Sequence, residues 1–169
     1  MNWNGLVKIL EIKHLNKSGD TIWSDNNLKN IFHTEGEAFM LGAVFTGNDI
    51  PDNFYFGLDT RSSLAATDTI ADITNEPSAS TGYIRRPIAS TGQFTLTTIS
   101  GVTQTNSPVL TFSAGASGYP LAVKNLFLTT ASDDSGQLIS SVPFTSPISV
   151  SSNESISMRI GLSLRDCPS

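Results

Sequence analysis

Ser155-Ile-Ser-Met-Arg-Ile-Gly-Leu-Ser-Leu164 alternates strictly between large apolar residues and small or polar ones. Ile156, Met158, Ile160, Leu162 and Leu164 share one side; Ser157, Arg159, Gly161 and Ser163 share the other. Successive side chains of a strand point to opposite faces, so this period of two predicts a strand with one buried and one wet face. Ile156, Met158, Ile160 and Leu162 are expected in the main core.

The same signal recurs towards the N-terminus. Gln137-Leu-Ile-Ser-Ser-Val142 follows the turn Asp133-Asp-Ser-Gly136, and Val123-Lys-Asn-Leu-Phe-Leu-Thr129 precedes it. Val109-Leu-Thr-Phe112, the Thr-rich run with Phe94, Leu96 and Ile99, and Phe54-Tyr-Phe-Gly-Leu58 complete the set. Branched and aromatic side chains suit a pleated, half-buried surface. Short strands at roughly ten-residue spacing, separated by Gly, Pro and Ser, predict an antiparallel β-sandwich of jelly-roll type.

The first third reads differently. Leu6 to Ile12 predicts an opening strand, Asn16-Lys-Ser-Gly19 a turn, and Thr21-Ile-Trp23 a returning strand. Thr34 and Glu37 have the spacing of a capping box, in which each side chain satisfies the other's free backbone N–H. Ala38, Leu41 and Phe45 then recur at helical spacing, so one helix with that face buried is expected from Thr34 to about Phe45. A short helical turn is expected over Thr67 to Ile73. The expected class is mostly β with one helix in the N-terminal half. The expected organisation is an N-terminal arm or strands over 1–27, open to docking, a sandwich over 28–164 and a tail over 165–169.

Composition narrows the function. Charged residues make up 15% of the 169, against roughly 25% in an ordinary domain. Ser and Thr supply about a quarter. The net charge is −5 and basic residues do not cluster, which argues against nucleic-acid binding through phosphate neutralisation. No apolar run approaches the ~20 residues of a membrane-spanning helix, and no membrane role is expected. The N-terminus lacks a basic region followed by an apolar one, so no signal peptide is expected. The single cysteine, Cys167, cannot form an internal disulfide and reads as a terminal thiol.

No residue pattern announces chemistry. His14 and His33 are the only histidines, and zinc-ligand spacing is missing. Ser117 has no nucleophile-elbow spacing around it and reads as a loop residue. Glu35, Glu37, Asp59, Asp68, Asp72, Glu76 and Glu154 are the candidates for glycosidase-type acids, which would need paired carboxylates. Glu35 and Glu37 are accounted for by a helix start and Asp68 and Asp72 by a turn. No catalytic residue, cofactor or metal is expected, and the protein is not expected to be an enzyme. Trp3 and Trp23 are the candidate interface residues; the alternatives for them are a sugar-stacking platform or an anchor to the core.

One region is distinctive as a whole: Gly57-Leu-Asp-Thr-Arg61, Thr74-Asn-Glu-Pro77 and Gly82-Tyr-Ile-Arg85, with a helix before them. Lys124-Asn-Leu-Phe-Leu-Thr-Thr130, Gly136-Gln-Leu-Ile-Ser140 and the alternating last strand follow. Over roughly residues 28 to 164 this resembles small virion structural proteins of tailed bacteriophages. The resemblance implies a β-sandwich, self-association and a place in the virion after synthesis in the host cytoplasm. It implies a capsid cement or decoration protein partnered by the major capsid protein. The alternatives are a tail or fibre-attachment component partnered by tail proteins, and a carbohydrate-binding adhesion module. It transfers no catalytic residue.

Overall fold

β1 (Trp3–Leu15) is the longest strand, and it pairs antiparallel with β12 (Ser155–Asp166) along nearly its whole length. The computed structural model describes residues 3–26, 28–99 and 102–166. Between these two strands lie β2 (Thr21–Asp25), β3 (Leu28–Lys29), β4 (Ile31–Phe32), helix α1 (Thr34–Leu41), β5 (Asn53–Asp59) and β6 (Arg86–Ala89). They are followed by β7 (Thr95–Ile99), β8 (Val102–Asn106), β9 (Leu110–Ser113), β10 (Val123–Thr129) and β11 (Leu138–Ile148). Two antiparallel sheets result. The first has the order β2-β1-β12-β8-β7, with β3 also on β1 and β9 also on β12; the second has the order β4-β11-β10-β5-β6.

The chain is mostly β, with two facing sheets and one α-helix, as its alternation predicts. Ile156 and Ile160 are fully buried, Met158 is 1% exposed, and Leu162 packs half-buried against them. Leu164's side chain lies outside the described residues. From the second sheet Phe56, Leu58, Leu126 and Val142 close the core, and Ile9 and Ile12 of β1 enter it without solvent contact. Both can face inward because the β1–β12 register shifts between Ile9 and Glu11. Replacing Ile160 with Ala is expected to cost about 2–5 kcal/mol. Urea unfolding measures it, and a loss under about 1 kcal/mol would contradict close packing there.

The N-terminal strands β1 and β2 pair into the first sheet, and Ile9 and Ile12 share its core. The Asn16 turn forms as expected: its Oδ1 accepts from the N–H groups of Ser18 and Asp20. The expected tail beyond Asp166, with Cys167, lies outside the described residues.

The helix exists, but its cap and face differ from expectation. His33, in extended conformation, precedes the first turn and makes no side-chain cap. Thr34 turns to the loop at Ala66 instead, its N–H donating to that carbonyl at 3.0 Å. Thr34 is the first residue of the helix and not the one before it, so it does not form the expected capping box with Glu37. Ala38 and Leu41 are exposed, and so is Phe45, which lies beyond α1 in a wider turn over Gly42–Thr46. The helix docks through Gly36 and Phe39. The reason is steric: a Cβ at position 36 would sit 2.7 Å from the Ile139 Cα and closer still to its carbonyl oxygen. The glycines selected the opposite face from the one the apolar spacing suggested. Over Thr67 to Ile73 the expected turn is a single one, Ile70–Asp72, and here a reciprocal cap does form, between Thr69 and Asp72.

Candidate functional site

Three of the distinctive motifs converge on one polar knot. Leu58, on β5, turns its N–H towards the Tyr83 hydroxyl at 2.8 Å, and that hydroxyl donates to Glu76 Oε2 at 2.5 Å. Arg85 Nη2 donates to Glu76 Oε1 at 2.5 Å and to Asp134 Oδ1 at 2.6 Å, while Nε donates to Glu76 at 3.1 Å. Nη1 donates to the Asp133 carbonyl, and the guanidinium lies 5.2 Å from the centre of the Phe127 ring. Arg85 is 8% exposed. Burial first, then the negative Glu76, holds Tyr83 protonated at any ordinary pH. All three guanidinium nitrogens are thus committed to protein acceptors. The chemistry of the knot is bracing: it ties the 74–85 segment to β5 and to the 133–134 turn.

Beside it, Asp59 is fully buried, and burial pushes its carboxyl above the usual range against the pull of Arg61. The Arg61 N–H donates to Asp59 Oδ1 at 2.6 Å, and Asn125 Nδ2 donates to the Arg61 carbonyl at 2.7 Å. An open cavity of about 140 Å³ borders Glu76, with Thr60, Thr74, Asn75, Pro77, Pro120 and Leu121 as its other walls. Small-molecule sites are usually ~300 Å³ or larger.

Glu35, Asp68, Asp72 and Glu154 have structural partners, while Glu37 is exposed. Glu35 accepts from the N–H groups of Ile70 (3.0 Å) and Leu138 (2.7 Å), stapling α1 to a loop and to β11. Asp68 accepts from Ala65 N–H and Asp72 from Thr69 N–H. Glu154 accepts from Ser151 N–H and pairs with His14 Nε2 at 2.8 Å. Ser117 is exposed in a turn. Trp23 packs half-buried against the core; the Trp3 side chain lies outside the described residues. Among the described residues, no three His, Cys, Asp or Glu side chains come together as metal ligands would.

His33 is fully buried, with Nε2 2.8 Å from the Ser141 hydroxyl. Burial pushes its pKa below the usual value, although the Asp68 and Glu35 carboxylates pull the other way. The unfolded chain therefore takes up this proton before the folded one does. Stability from His33 is complete above pH ~6.5 and declines as pH falls below it towards the depressed folded pKa, by at most ~1.4 kcal/mol per unit. Urea unfolding at pH 7.5 and 5.5 measures this; His33→Gln should flatten the difference, and an unchanged difference would assign it to other groups.

What the sequence spacing did not reveal is an apolar ridge. Leu41, Val44, Phe45 and Ile50 are 59%, 64%, 78% and 59% exposed. The loop after the helix folds back, with Asn48 N–H donating to the Gly42 carbonyl, so the ridge stands on a closed turn. Over residues 34–60 the exposed carboxylates are Glu37, Asp49 and Asp52, and there is no Lys, Arg or His. The available signal was Gly36, whose demand for backbone contact forces Leu41 outward. No protein-family model matches this sequence, and no curated protein matches it either.

Proposed function

We propose that this chain is a virion structural protein of a tailed bacteriophage, and within that class a cement subunit that binds the assembled head shell through the ridge of Leu41, Val44 and Phe45. The observation that carries the docking surface is the exposure of three large apolar side chains within five residues of one another, on a stretch without a single basic residue. An apolar centre ringed by polar residues, with an aromatic side chain such as Phe45 in it, is the common anatomy of an interface. The acidic surroundings favour a partner surface with a basic border. The phage reading itself rests on the motif resemblance over residues 28 to 164. Non-enzymatic function is supported by the use of Glu35, Asp59, Glu76 and Glu154 in bracing contacts. A subunit that binds only the assembled lattice stabilises it by mass action.

The test adds purified protein to heads lacking it. Wild-type protein should bind at a copy number that scales with the major capsid protein and should raise the heat resistance of the particles. Phe45→Asp should lose at least roughly 2 kcal/mol of binding, about thirtyfold, without loss of folding. Binding of a handful of copies at the tail would move the protein to the tail class. Undiminished binding of Phe45→Asp would remove the ridge from the contact.

A further inference from the structure

We infer that β7 is a homotypic pairing edge, through which a second copy of this chain adds its own β7 antiparallel about a two-fold axis near Thr97 and continues the first sheet into the next subunit.

Among the described residues β7 is bonded to β8 alone, and β8 is held to the rest of the sheet through Gly161, Leu162 and Ser163 of β12. The hairpin thus projects from the sandwich. Leu96 is 69% exposed and Thr95 and Thr98 are exposed as well. The outer side of β7 is a row of backbone donors and acceptors, which is a template for another strand.

The other edges are guarded. β6 carries Arg86 and Pro87, and a proline cannot donate to a ladder. β4 is two residues long, and β3 is two residues long with Lys29. β2 holds Asp25, whose carboxylate accepts from the Thr145 hydroxyl, and its register on β1 is broken at Leu15. β9 runs beside β6, and past its end Gly115 N–H donates to the Thr81 carbonyl. Short length, charge, proline and cover are the devices that keep edges from pairing. β7 has five residues and none of the other devices.

Charge selects the occupant. Residues 87–123 contain no Asp, Glu, Lys, Arg or His, although the chain as a whole carries −5. Two copies meeting at β7 therefore bring no like charges into register, as they would at β2 through Asp25 or at β6 through Arg86. Antiparallel pairing about Thr97 places Leu96 opposite Thr98 of the other copy, twice over, in the self-complementary way a two-fold interface requires. β-branched and apolar cross-strand neighbours of this kind are favourable pairs. One five-residue strand pair is small beside a standard interface, so association in solution is weak and is reinforced where copies are already held side by side. This pairing does not depend on the virion reading.

The experiment is sedimentation equilibrium of the full chain up to about 1 mM, in the range where small interfaces associate. Wild-type protein should form a concentration-dependent dimer. The double variant Leu96→Lys/Thr98→Lys places lysines opposite lysines and should weaken dimerisation by roughly tenfold or more, with an unchanged melting temperature because both side chains are exposed. Leu96→Glu/Thr98→Glu should behave the same way alone, and an equimolar mixture of the two variants should dimerise again. Phe45→Asp should dimerise like the wild type, which separates this edge from the ridge. A wild-type monomer at the highest concentration would overturn the proposal. So would undiminished dimerisation of the lysine variant, or a mixture that does not recover.

Discussion

Replacing Arg85 with Met is expected to destabilise the protein by about 3–5 kcal/mol, the range for breaking a buried ion pair by removing one partner. The loss is larger than a surface ion pair would give because Arg85 is 8% exposed and Glu76 would be left without its cation. Asp134 contributes little to the loss, since its side chain is 64% exposed and water replaces the guanidinium there. The Met chain keeps contact with Phe127 but donates to neither Glu76 nor the Asp133 carbonyl. The stranded Glu76 charge is the main cost. Adding Glu76→Gln to Arg85→Met should therefore recover part of the loss, because the neutral amide can still accept from the Tyr83 hydroxyl. Chemical unfolding of the two single variants and the double variant completes the cycle. A loss below about 1 kcal/mol for Arg85→Met would show that the knot is solvated and unimportant.

Gly36→Ala is expected to cost at least the upper end of the ~1–3 kcal/mol typical of overpacking. Helix propensity alone predicts the opposite, a gain near 1 kcal/mol. The steric term wins because the obstructing atoms are the Ile139 Cα and carbonyl, at 2.7–2.8 Å, and a strand backbone in the second sheet cannot swing aside. The helix must lift, which pulls Phe39 away from Phe54 and Glu35 away from Leu138 N–H. Gly42→Ala is the matched control. There the close atoms belong to the exposed Asn48 side chain, which can rotate, so the change should be near neutral. Equal effects at the two positions would show that the backbone approach of α1 is not what fixes its face.

These two sites also mark where the sequence stops speaking. β12 was legible because its pattern is local: Ile156, Met158 and Ile160 declare their face by alternation alone. The existence of α1 was legible, but its orientation was not. The contact that decides it lies on β11, about a hundred residues further along, and nothing near Gly36 records it. The same gap hid the exposed ridge, since the wrong face was assigned to Leu41 and Phe45. Arg85, Glu76 and Tyr83 stood out as motifs, but their function as a brace depends on the 133–134 turn. The run Leu6 to Ile12 shows that a strand exists without showing which strand it joins.

The β1–β12 pairing bears on how the protein is made. β1 finds its longest partner only after Ser155 and its successors have left the ribosome. At 5–20 residues per second the roughly 140 intervening residues take on the order of ten seconds. Throughout that time β1 has only β2 and β3 to pair with, and Ile9 and Ile12 lack the β12 side of their core. Non-local pairing of this kind also folds slowly once the chain is complete. Nascent chains should thus stay protease-sensitive and chaperone-bound until β12 has emerged, and protection should arrive in one late step.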